Sequence, residues 1–174
     1  RTLGWPEPAL ARGLAAPAPP ARFERFAVAG PRGPVAVVLD GAHDPAAAAR
    51  VAAAMPRRYV LLFGALERKQ AEATLAPLRH RAACVVATSA DPEEPSAAVA
   101  TDAATLPDPH EAIAHAVAIA DALGAPVLVA GSLHLAGRVR PWLRAHALAA
   151  ERDLASADAG AMLGGRWDAS GSSA

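Results

Sequence analysis

Two hydropathy patterns alternate along this chain. Short blocks that are apolar at nearly every position are separated by longer stretches in which apolar residues recur every three or four. The block Pro34-Val35-Ala36-Val37-Val38-Leu39 is the clearest of the first kind. A run with no polar alternation predicts a strand buried on both faces, as in a parallel sheet. Tyr59 to Phe63, Ala82 to Thr88 and Pro126 to Ala130 read the same way. Arg22 to Ala29, carrying Phe23, Phe26 and Val28, predicts a further strand closed by Gly30-Pro31-Arg32-Gly33. The stretches between predict helices. Asp44-Pro45 opens one that runs to about Met55, with an N-capping Asp and a Pro suited to the first helical position. A second runs from about Lys69 to Arg79, with Leu75 and Leu78 on one face. Asp108-Pro109-His110-Glu111 reads as a capping box opening a third, with Ile113, Val117 and Ala120 on one stripe and Gly124 at its end. The last follows Gly131-Ser132 and reaches about Ala147. Ser89 to Pro107 is polar and proline-broken, with a short strand expected near Ala97 to Thr101. Strands alternating with helices predict an α/β fold around a mostly parallel sheet with right-handed crossovers.

The two ends differ from this middle. Five prolines within residues 1–20 exclude a long helix, leaving a helical turn around Glu7 to Leu14 and an extended linker at Pro17 to Pro20. Residues 148–174 are small and polar and read as a mobile tail. One core domain over residues 21–147 follows.

Composition narrows the function classes. Lys+Arg and Asp+Glu are both 17 in 174 residues, so a global nucleic-acid footprint is excluded. The hydrophobic share of 53% owes much to 49 alanines. Cys84 is the one cysteine, which excludes an intramolecular disulfide and a cysteine-built zinc site. No apolar run approaches the roughly 20 residues of a membrane span, and Arg1 to Ala11 has no signal-peptide core. A soluble, cytoplasmic and monomeric domain is expected.

In parallel α/β sheets, ligands bind beyond the carboxyl ends of the strands. Here those ends read Asp40-Gly41-Ala42-His43-Asp44, Phe63-Gly64 and Gly131-Ser132-Leu133-His134. The fold should bring Asp40, His43, Ser132 and His134 to one edge. Two readings of Asp40 stand: a ligand contact, or a carboxylate satisfying backbone amides in a tight turn. His43 is likewise either functional or a half-buried histidine. A hydrolase triad fails on context, since Ser132 lacks a G-x-S-x-G elbow. A metal site from Asp40 and His43 has no third ligand. Neither G-x-G-x-x-G after the first strand nor G-x-x-x-x-G-K-[ST] occurs, so an independent dinucleotide or P-loop site is unsupported. Ser132, at a helix start, suits a carboxylate or phosphate. His110 and His115 do not share a helix face and read as solvent-exposed, and His80 and His146 sit at helix ends, where a cation is favoured.

Four segments in order then carry a resemblance: Arg22-Phe23-Glu24; Val38-Leu39-Asp40-Gly41-Ala42-His43-Asp44-Pro45; Leu62-Phe63-Gly64-Ala65; and Val127-Leu128-Val129-Ala130-Gly131-Ser132-Leu133. Together, across about Ala11 to Arg144, the chain resembles the C-terminal domain of folylpolyglutamate synthase/dihydrofolate synthase, in the Mur ligase superfamily. The resemblance implies a Rossmann-like three-layer sandwich of about six strands with one antiparallel edge strand. It implies an ATP-dependent amide ligase that activates a folate or pteroate carboxylate as an acyl phosphate for attack by L-glutamate. It also implies an N-terminal P-loop ATPase domain, ending in residues 1–20, that holds most of the ATP and Mg2+, so that this part alone is inactive. By position, Arg22 and Asp40 match ATP contacts, His43, Ser132 and His134 match the glutamate side, and His43 and Lys69 are the implied catalytic residues. No metal ligand is carried over.

The sequence departs from that family at several places. Ala21 stands where the family has Gly, and Asp44 where it has Asn. Arg68 and Gln70 flank Lys69 where it has two Asp, and His134 replaces an aromatic residue. These departures motivate a rival reading, a degenerate domain that binds or interacts without catalysis. A ligase of cell-wall precursors is a third, disfavoured because the Asp-Gly-Ala-His and Gly-Ser-Leu blocks resemble the folate branch more closely.

Overall fold

Tyr59–Phe63 (β3) is buried at every position, and its side chains divide between two cores. Tyr59, Leu61 and Phe63 enter one, Val60 and Leu62 the other, as the two-residue period of a strand requires. The computed structural model describes residues 19–56, 58–67 and 70–148. Within them the other strands are Glu24–Ala29 (β1), Pro34–Leu39 (β2), Ala82–Ala87 (β4), Ala104–Thr105 (β5) and Val127–Ala130 (β6). The helices are Pro45–Ala54 (α1), Ala71–Arg79 (α2), Pro109–Leu123 (α3) and Leu133–His146 (α4). The strands form one sheet in the order β1-β2-β6-β3-β4-β5. All pairings are parallel except β1 with β2. Helices α1 and α2 pack on one face and α3 and α4 on the other, giving three layers with a core on each side of the sheet. No helix among the described residues is long and apolar enough to cross a membrane.

Local chemistry starts and stops the elements. Asp44 caps α1 by accepting from the Ala47 amide at 2.8 Å, and Pro45 occupies the first helical position. Asp108 accepts from the amides of His110 and Glu111 at 2.6 and 3.4 Å at the start of α3. Gly124 ends α3 at φ 60°, a left-handed conformation that costs glycine nothing. Gly30 and Gly33 exchange backbone hydrogen bonds across Pro31-Arg32, the hairpin turn between β1 and β2. The buried Tyr59 hydroxyl donates to the Leu78 carbonyl at 2.6 Å and pins the end of α2; burial pushes its pKa up to about 12.

Strands β4 and β6 are each one residue shorter than the sequence reading, and two elements depart from it further. The first strand begins at Glu24 rather than Arg22, because Ala21 and Phe23 have positive φ of 55° and 51° and leave extended geometry. The short edge strand lies at Ala104–Thr105, not Ala97 to Thr101. Thr101 and Asp102 bind β4 through side chains instead: the Thr101 hydroxyl donates to the Val85 carbonyl, and Asp102 accepts from the Val85 amide at 2.7 Å. Backbone pairing resumes two residues later. The turn expected at Glu7 to Leu14, Lys69, and the tail beyond Leu148 lie outside the described residues.

Candidate functional site

Strand β6 lies between β2 and β3, and this decides where a cleft opens. The chain leaves β2 for α1 on one face of the sheet and leaves β6 for α4 on the other. Two adjacent parallel strands whose connections depart to opposite faces form a topological switch point, where α/β sheets bind ligands. The turns at that point are Asp40 to His43 and Gly131 to His134.

Backbone hydrogen bonds lock these turns together. The Gly131 amide donates to the Ala42 carbonyl at 2.9 Å, and the Gly41 amide to the Ala21 carbonyl at 2.9 Å. The expected convergence of Asp40, His43, Ser132 and His134 on one edge is observed, and Arg22, exposed, joins it through the Ala21–Gly41 contact.

Asp40 is 7% exposed and both its oxygens are engaged. Oδ2 accepts from the Phe23 amide and Oδ1 from the Ala42 amide, each at 2.8 Å. Of the two readings of Asp40, the turn-holding one is visible directly. His43 is half-buried, with Nδ1 2.8 Å from the Gly41 carbonyl. A carbonyl only accepts, so Nδ1 carries a proton, and the tautomer compatible with this contact has its lone pair at Nε2. Ser132 is buried and caps α4, its Oγ accepting from the His134 amide at 3.1 Å; the hydroxyl proton remains to be donated. The His134 Nδ1 donates to Asp91 Oδ2 at 2.7 Å. The Asp91 carboxyl is held below the usual aspartate range by the Glu93 amide first and by His134 second. The Asp44 carboxyl is lowered chiefly by the Ala47 amide.

The sequence reading missed Glu24, Arg140 and Asp91. Glu24 accepts from Ala21 N at 3.0 Å, from Arg140 Nε at 3.0 and 2.8 Å, and from Arg140 Nη2 at 2.9 Å. Its partner is 116 residues away, so no local pattern could reveal it. Burial alone would raise the Glu24 carboxyl, but hydrogen bonds from Arg140 and Ala21, with the charges of Arg140 and Arg144, hold it below its ordinary value of 4.5. A carboxyl lowered in the folded state stabilises the fold above its unfolded pKa, and that contribution is lost as pH falls through the folded value. The stability difference between the native chain and Glu24→Gln is therefore expected to be largest above about pH 4.5 and to shrink below it. Urea unfolding across pH 3–7 (about one curve per half unit) measures this; a pH-independent difference would contradict it.

Among the described residues, no group of three or more His, Cys, Asp or Glu is placed to hold a metal ion. Asp40 is not gathered with further carboxylates or histidines into a chelating set, so the described residues of this edge do not by themselves build a Mg2+ site.

The family described as Mur ligase, glutamate ligase domain, matches residues 21–133. Folylpolyglutamate synthase from Mycobacterium tuberculosis, solved with ADP and AMPPCP, is similar at 23% identity and a TM-score of 0.65, over 80% of this chain and 36% of that one. Bifunctional folylpolyglutamate synthase/dihydrofolate synthase from Yersinia pestis, with AMPPNP and Mn ion, is similar at 25% and 0.58, over 82% and 36%. The E. coli FolC structure with DHPP and ADP gives 26% and 0.56, over 83% and 36%. This chain thus spans about a third of the length of the solved proteins it matches. No curated protein matches it.

Proposed function

The chain belongs to the Mur ligase family, as its glutamate ligase domain, and on that premise we propose that it is the C-terminal part of an ATP-dependent ligase joining L-glutamate to folate or dihydropteroate. ATP phosphorylates the substrate carboxylate, giving an acyl phosphate and ADP. The amine of glutamate attacks the acyl carbon, an amide bond forms, inorganic phosphate leaves and the amine gives up a proton. The observation that carries this reading is the hydrogen-bonded convergence of the Ala21, Ala42 and Gly131 segments at the switch point.

In this reading the rim has two sides. Arg22 presents a planar cationic fork to the nucleotide phosphates. Asp40 belongs to the same side, holding the Ala21 to Phe23 segment and retaining lone pairs for a ribose hydroxyl or an ordered water. On the other side, Ser132 and the first amides of α4 offer donors to a glutamate carboxylate where the helix dipole favours negative charge. His43, with Nε2 as its basic atom, takes a proton from the glutamate ammonium to free the attacking amine, and the second proton, lost as the amide forms, goes to the departing phosphate. His134 flanks the glutamate site with its ring held by Asp91. Lys69 is assigned a catalytic role on the resemblance alone. A further ATPase domain supplies the phosphate-binding loop and the metal, and without it this part does not turn over.

The test is steady-state kinetics of the protein carrying both domains, with ATP, L-glutamate and tetrahydrofolate or dihydropteroate. Ser132→Ala is expected to raise KM for glutamate about tenfold while leaving KM for ATP within about twofold, the pattern of a lost binding contact. His43→Ala is expected to do the same and in addition to lower kcat about a hundredfold, the loss of a base. Equal effects on both substrates would reject the division of the rim. Failure of the native protein to release ADP with any folate and glutamate would favour the non-catalytic reading.

A further inference from the structure

Ala21 and Phe23, on either side of Arg22, both hold left-handed backbone at φ 55° and 51°. Such a conformation costs roughly 1–2 kcal/mol for a residue with a Cβ. It persists only where the surroundings dictate it. Here three hydrogen bonds do so. Ala21 N donates to Glu24 Oε2 at 3.0 Å, Phe23 N donates to Asp40 Oδ2 at 2.8 Å, and the Ala21 carbonyl accepts from Gly41 N at 2.9 Å. Asp40 is fixed by its own turn, through Ala42 N. Glu24 sits at the start of an edge strand, and a bidentate bond from Arg140 on α4 fixes it. That pair is about three-quarters buried, 24% and 23% exposed, unlike a surface ion pair.

We infer that Arg140 is a positioning residue for the nucleotide side of the site: it orients Glu24, Glu24 holds the Ala21 amide, and the strained segment thereby presents Arg22 at the rim. This rests on the assignment of Arg22 to the nucleotide under the proposed function. It adds a residue on α4, the helix that Ser132 caps, to the control of that arginine. Asp40 and Glu24 act as paired anchors, one acid for each amide flanking Arg22.

Two measurements test the inference, and they fail separately from the ligase reading. In this chain, Arg140→Met is expected to speed hydrogen exchange at the Ala21 and Gly41 amides at least about tenfold, with exchange of the β3 amides unchanged. Unaltered exchange at Ala21 would overturn the clamp. In the protein carrying both domains, Arg140→Met is expected to raise KM for ATP about tenfold, with kcat and KM for glutamate within about twofold. The same substitution in an Arg22→Ala background is expected to change KM for ATP no further. A KM effect that persists without Arg22 would overturn the inference, because it would then be general structural damage. If Arg22→Ala alone leaves KM for ATP unchanged, the nucleotide assignment falls, and the exchange data still decide the clamp. Glu24→Gln, which keeps the side-chain shape, is expected to give the same pattern more weakly, and serves if Arg140→Met does not fold.

Discussion

Gly131→Ala is expected to cost about 3 kcal/mol of folding stability and to disrupt the rim with it. Gly131 has φ 115°, where a Cβ is strained whatever the space. There is also no space: an added Cβ would lie 2.6 Å from the Gly64 carbonyl oxygen and 2.8 Å from Phe63 Cε2. The carbonyl belongs to the turn after the central strand and Phe63 is fully buried, so neither neighbour can yield cheaply. Backbone strain of about 1–2 kcal/mol adds to an overpacking cost of about 1–3 kcal/mol. The same shift would break the Gly131–Ala42 hydrogen bond that joins the two site turns. Gly137→Ala is the control. Gly137 lies within α4 with nothing within 4 Å of an added Cβ, so alanine there is expected to stabilise by about 1 kcal/mol. Urea midpoints of the two variants moving in opposite directions would bear this out; parallel movement would contradict it.

Asp40→Ala is expected to cost about 2–4 kcal/mol. The substitution strips an acceptor from both Phe23 N and Ala42 N, the second of which is buried. Hydrogen bonds to a charged group contribute about 1.5–3 kcal/mol, and an orphaned buried amide costs about 1–3 kcal/mol. Phe23 would lose one of the contacts that hold its left-handed backbone, so the Arg22 segment should loosen as the fold weakens. Asp40→Asn keeps one acceptor oxygen but sets an amide donor against a backbone donor, and should fall between. The check is a pair of urea curves with unchanged slope and lowered midpoint. A native midpoint for Asp40→Ala would mean that the carboxylate does not hold the turn.

Much of this architecture could be read from the chain because each cue is local. The all-apolar Tyr59–Phe63 and Pro34–Leu39 read as buried strands from their lack of alternation and their length, and their bounds coincide with the sequence reading; Tyr59–Phe63 is buried throughout and Pro34–Leu39 from Val37 onward. Asp44-Pro45 and Asp108-Pro109 announced their helices for the same reason, since a cap acts within three residues. The features that escaped are held from a distance. The start of β1 depends on Asp40, 17 residues away, which bends Phe23 out of extended geometry. The edge strand was displaced by the side chains of Thr101 and Asp102, whose partner Val85 precedes them by a whole loop. The edge shared by Asp40, His43 and Ser132 was legible from the strand ends, but that β6 separates β2 from β3 was not. Glu24 stood inside a quoted motif and still gave no sign of Arg140, because a bond across 116 residues leaves no periodicity.

Hydrogen exchange of the proposed two-domain ligase, compared with and without AMPPNP and L-glutamate, tests the placement of the site most directly. The account predicts new protection in three stretches, residues 21–24, 40–45 and 131–134, and none on the Gly30 to Gly33 hairpin at the opposite end of β2. Protection on that hairpin, with the three stretches unchanged, would contradict it.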